Sequence, residues 1–67
     1  MDFKELHAEM GRNGLSIPKL AKLTNRGKKR LYSRFSGETE FTQSEITKIA
    51  EVLHLNEDKM LRIFFAN

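Results

Sequence analysis

The sequence contains no cysteine in its 67 residues. Neither a disulfide framework nor a zinc–thiolate site can therefore hold it together, and the absence fits a reducing compartment. No apolar run approaches the roughly 18 residues that a membrane-spanning helix requires. The opening MDFKELHAEM alternates charged with apolar side chains and carries no secretory apolar segment. A glycine-rich phosphate loop, a Ser/His/Asp set and metal-ligand spacing are all missing, and His7 and His54 lie far apart. These absences exclude an enzyme of recognisable chemistry. They lead us to expect an intracellular chain with no cofactor, no metal, no small-molecule substrate and no membrane partner. A chain this short makes one domain, 1–67. It buries only roughly 60% of its extended surface, so its helices must pack efficiently.

Positive charge is what the sequence has in concentrated form. The net charge is +3, but the stretch from Met10 to Gly37 holds Arg12, Lys19, Lys22, Arg26, Lys28, Lys29, Arg30 and Arg34 with no acid. The flanks hold Lys4, Lys48, Lys59 and Arg62 against all nine acids. A solvated surface normally mixes both signs. A one-sign block inside a periodic, leucine-containing segment reads instead as a folded basic face, whose field favours a polyanion.

The periodicity is helical throughout. Asp2 can cap a first helix carrying Phe3, Leu6 and Met10, ended by Gly11 and Gly14. Ser16 can cap a second, with Pro18 tolerated in its first turn and Ile17, Leu20, Ala21 and Thr24 inward. Asn25 suits the break, since Asn accepts a left-handed conformation cheaply. A third helix is expected from about Gly27 to Phe35, before Gly37. Thr42-Gln43-Ser44-Glu45 fits a capping box, with Phe41 placed to staple onto Ile46. The stripe Ile46, Ile49, Ala50, Leu53 follows. Asn56 can cap a fifth helix, with Glu57 and Asp58 favourable to its dipole and Met60, Ile63 and Phe64 inward. The expected fold is all-α, a compact bundle of about five short helices. Phe64 and Phe65 cannot both face one core. Phe65, with Leu61, is therefore a candidate oligomer contact.

The run LSIPKLAKLTNRGKKRLYSRFSG resembles the helix-turn-helix of the phage repressor and Cro-type family, lambda-repressor-like. The following SGETEFTQSEITKIAEVLHL extends the likeness over nearly the whole chain, and the end through RIFFAN resembles small modulator-of-repression (antirepressor) proteins of temperate phages. The resemblance implies that Ala21 sits at the close crossing of the second and third helices, with Leu20 and Leu31 meeting below. It also implies a third helix lying in the major groove of operator DNA. Gly27, Lys28, Lys29 and Arg30, with Ser33 one turn later, would then face base edges, while Lys19, Lys22 and Arg34 would lie near phosphates. Arg or Lys at such positions can reach guanine O6 and N7. Four phosphate neutralisations would give a salt slope near −3.6 on logarithmic axes.

Asn25, Arg26, Gly27 and Arg34 depart from that family's usual residues. The expectation is a sequence-specific, double-stranded-DNA-binding transcriptional regulator in the host bacterium's cytoplasm, working as a homodimer or by cooperative binding. The alternative is a modulator that uses the same surface, Arg26 and Gly27 included, to bind a phage lysogeny repressor. Tyr32 reads as a rim residue or as a group that stacks on a sugar or base. No aromatic platform for unstacked RNA bases is visible.

Overall fold

We used a computed structural model of the chain, which describes residues 1–65. Five α-helices make up the fold: α1 (Phe3–Arg12), α2 (Ile17–Thr24), α3 (Lys28–Phe35), α4 (Gln43–Val52) and α5 (Glu57–Phe64). There is no strand among the described residues. Four helices start on a side chain that satisfies a free backbone N–H. Asp2 accepts from Glu5 at 3.0 Å, Ser16 from Lys19 at 3.4 Å and Asn56 from Lys59 at 2.8 Å. Thr42 and Glu45 form the reciprocal capping box. α3 alone starts on a residue with no side chain, Gly27.

The helix ends share one device. After α1, α2, α3 and α4 a residue turns left-handed: Gly14, Asn25, Gly37 and His54, at φ of 63, 56, 84 and 55°. The next N–H then reaches back to a carbonyl five residues earlier, as in Leu15→Met10, Arg26→Ala21, Glu38→Ser33 and Leu55→Ala50. This is the Schellman arrangement, and it stops each helix sharply. Gly14, Asn25 and Gly37 are the break residues expected from the sequence, whereas Gly11, expected to end the first helix with Gly14, lies inside α1. His54 takes the same role without being glycine or asparagine.

Each helix places one fully buried aliphatic side chain in a common core: Leu6, Leu20, Leu31, Ile49 and Ile63. Such residues contribute roughly 1.5–3 kcal/mol each by burial. Ala21 of α2, 3% exposed, joins the same core. Rings link the outer elements edge to face, from His7 of α1 to Phe35 of α3, on to Phe41 and then to Phe64 of α5. Their centroids lie 5.4, 5.5 and 5.6 Å apart. Phe41 and Ile46, the expected staple, line one surface groove with Phe3 and Phe64. Phe64 is buried and Phe65 is 52% exposed, as their adjacency requires.

The core also holds two carboxylates. Glu9 is buried between Lys59 of α5 and Arg12 of its own helix, joining α1 to α5. The Lys59 hydrogen bond holds its carboxyl below the usual range, against the opposing effect of burial and with help from the charges of Lys59 and Arg12. The Asp2 N–H donates to the Ile63 carbonyl at 2.7 Å and closes the same pair of helices. No described helix is long and apolar enough to cross a membrane.

Candidate nucleic-acid or protein interface

Seven of the eight cations of the basic block fall on α2, α3 and the turn between them; Arg12 lies in α1, paired with Glu5 and Glu9. α2 and α3 pack together, joined only by Asn25, Arg26 and Gly27. Leu31 and Phe35 bury the inner face of α3, which turns Lys29, Arg30 and Tyr32 outward. Lys28, Lys29 and Arg30, the first turn of α3, are all exposed. Lys19 and Lys22 are exposed on α2, and Lys22 lines a shallow cleft with Pro18, Ala21, Asn25, Arg26 and Lys28. That cleft brings Lys22 of α2 and Lys28 of α3 onto one surface. None of Lys19, Lys22, Lys28, Lys29 or Arg30 makes an ion pair among the described residues.

The helix dipoles reinforce the sign of that surface. α1, α4 and α5 each place an acid in the first turn, whereas α2 and α3 place none. A helix N-terminus carries roughly half a positive charge, and an acid beside it cancels part of that field. At α2 and α3 the field stands uncancelled next to lysines. Gly27 lies in extended backbone, with open space where a side chain would project. The backbone there is accessible to a large partner.

Three residues expected at the interface have other roles. Arg34, expected near phosphates, is turned inward with its side chain 15% exposed. Its Nε donates to Glu45 Oε1 at 2.9 Å and its Nη1 to Thr39 Oγ1 at 2.6 Å. Ser33, expected at base edges, is half-buried, its hydroxyl 2.9 Å from that of Thr39. Arg26 is half-buried and donates to Ser44 Oγ at 3.2 Å. The Arg34 partner is the residue that sequence reasoning missed. Glu45 was recognisable as a capping residue, but not as the buried end of an ion pair. Its carboxyl sits below the ordinary range although burial, the largest single influence, raises it; hydrogen bonds from Arg34 and Thr42 and the charge of Arg34 outweigh burial.

Tyr32 is the other residue that gains weight. It is 51% exposed and lines a second shallow depression with Lys29, Arg30, Ser33 and Arg34. The candidate oligomer residues Leu61 and Phe65 are 47% and 52% exposed. No set of three or more His, Cys, Asp or Glu side chains able to hold a metal exists among the described residues. Comparison with protein-family models, with curated proteins and with solved structures gave no match.

Proposed function

We propose that the protein is a sequence-specific DNA-binding transcriptional regulator of the phage repressor/Cro type, with α2 and α3 acting as a helix-turn-helix. The observation that carries this reading is the surface of five exposed, unpaired cations, Lys19, Lys22, Lys28, Lys29 and Arg30, beside two helix starts free of acids. α3 enters the major groove; Lys28, Lys29 and Arg30 meet base edges, and Lys19 and Lys22 meet phosphates. One such helix covers few base pairs. Two copies, meeting through the exposed Leu61 and Phe65, would read half-sites about 34 Å apart. The setting is the cytoplasm of a host bacterium. Fluorescence anisotropy against duplexes selected from a random pool tests this reading. A preference of about a thousandfold or more over random duplex at moderate salt is expected. No preference would count decisively against it.

A second reading is supported by Tyr32. Tyrosine and arginine dominate the energetic centres of protein interfaces, and here a half-exposed Tyr32 lines one depression with Lys29 and Arg30. With Arg34 turned inward onto Glu45, α3 offers fewer cations to phosphates than its composition promises. On this reading the same face binds the lysogeny repressor of a temperate phage and modulates it. A pull-down with a purified repressor separates the two: a complex at micromolar concentration supports the modulator, and its absence removes that reading.

A further inference from the structure

The two arginines nearest the ends of α3 hook onto neighbouring residues of one helical turn. Arg26, just before α3, reaches Ser44, and Arg34, in its last turn, reaches Glu45; Ser44 and Glu45 lie in the first turn of α4. The second hook is the stronger. Glu45 is 1% exposed, and its Oε1 also accepts the Thr42 N–H at 2.8 Å, so the carboxylate that receives Arg34 is the one that caps α4. The free arm of Arg34 holds Thr39, which holds Ser33 of α3 in turn. The rest of α3 rests on its contact with α2 and on Leu31 and Phe35.

We infer that Arg26 and Arg34 are positioning residues, which clamp both ends of α3 to the capping box of α4 and so set the angle at which Lys28, Lys29 and Arg30 are presented. The inference rests on the reading that α3 carries the binding face. It assigns two cations of the basic block to orientation rather than to ligand contact. It also makes Thr42 and Glu45, remote from any ligand, part of the binding apparatus. The planar guanidinium of Arg34 suits this role, because its rigid fork meets Glu45 and Thr39 in fixed geometry, whereas a lysine ammonium is a point charge on a flexible stem.

The test uses the full chain, with Arg34→Lys as the principal variant, since it keeps the charge and loses the fork. The probe is the tightest duplex recovered from a random-sequence pool. Clamping predicts amide hydrogen exchange across Leu31 to Phe35 about tenfold faster, beyond any change shared by α1 and α5, and duplex affinity about tenfold weaker with an unchanged salt slope. Arg34→Lys with wild-type affinity and wild-type exchange overturns the proposal. So does Arg26→Gln, at the half-buried end, if it lowers the salt slope by about 0.9, the signature of a lost phosphate contact. Should no duplex bind the wild-type chain, the DNA reading has failed, and the exchange measurement alone decides the clamp.

Discussion

Replacing Arg34 with methionine isolates the ion pair under α3. Methionine keeps most of the length of the arginine stem and removes the guanidinium, leaving Glu45 ionised at 1% exposure. Removing one partner of a buried pair costs about 3–5 kcal/mol, because the remaining charge is uncompensated. Glu45 keeps the Thr42 N–H at 2.8 Å, which places the expected loss at the lower end, about 3 kcal/mol. For a domain of this size each kcal/mol lowers Tm by roughly 4–8 °C, so at neutral pH the variant should melt about 12–24 °C below the wild type. The loss depends on pH in a defined direction. The Glu45 carboxyl lies below its usual 4.5 in the fold, so the stability from its ionised form is fully present above 4.5 and disappears as pH falls through the lower, folded value. The gap between wild type and variant is therefore widest at neutral pH and narrows below 4.5. Far-UV circular dichroism melts across that range measure it. Arg34→Met combined with Glu45→Gln, which keeps an acceptor for Thr42 without the charge, should be more stable at neutral pH than Arg34→Met alone. A gap that is negligible at neutral pH, or that does not change on acidification, would refute the reasoning.

Three further substitutions test other parts of the fold. Glu9→Gln should cost only about 1 kcal/mol, because Arg12 and Lys59 are partly solvated; the wild type should lose this contribution below pH 4.5, where the depressed Glu9 carboxyl takes up its proton. Chemical denaturation at neutral and acid pH measures both. Among the glycines, Gly11→Ala should stabilise by up to about 1 kcal/mol, since it lies inside α1 with open space for a methyl group. Gly37→Ala should destabilise by about 1 kcal/mol or more, because φ is +84° there, while the added carbon would meet Phe3 at an ordinary 3.6 Å.

The helices were legible in the sequence because their signals are local. Ser16, Pro18 and Asn25 bound α2, and Thr42 with Glu45 opens α4, through contacts within a few residues. The inward set Leu20, Ala21, Ile49 and Ile63 followed from period, and Leu31 from the resemblance. What the sequence did not disclose depends on distant partners. Arg34 and Glu45 are 11 positions apart and Glu9 and Lys59 are 50 apart, and no periodicity marks such pairs. Glu9 did leave a trace. It falls three residues after Leu6 and beside Met10, on the stripe where an apolar side chain belongs. The candidate site divides the same way. Exposure of Lys29 and Arg30 follows from their place away from the Leu31 face, and that of Lys28 from its place at the helix start, whereas the inward turn of Arg34 required its partner in α4. His54 was missed as a helix end because its left-handed backbone is set by the Leu55→Ala50 hydrogen bond, and its side-chain type does not signal it.

The central claim is that the α2–α3 face neutralises the phosphates of duplex DNA. The dependence of affinity on salt concentration tests it most directly, measured by anisotropy on the best selected duplex with the wild type and with Lys19→Gln/Lys22→Gln. With Lys19 and Lys22 as the assigned phosphate contacts, the account predicts a wild-type slope near −1.8 per bound copy and a slope close to zero in the double variant. A wild-type slope near zero, or a double variant with an unchanged slope, would contradict it.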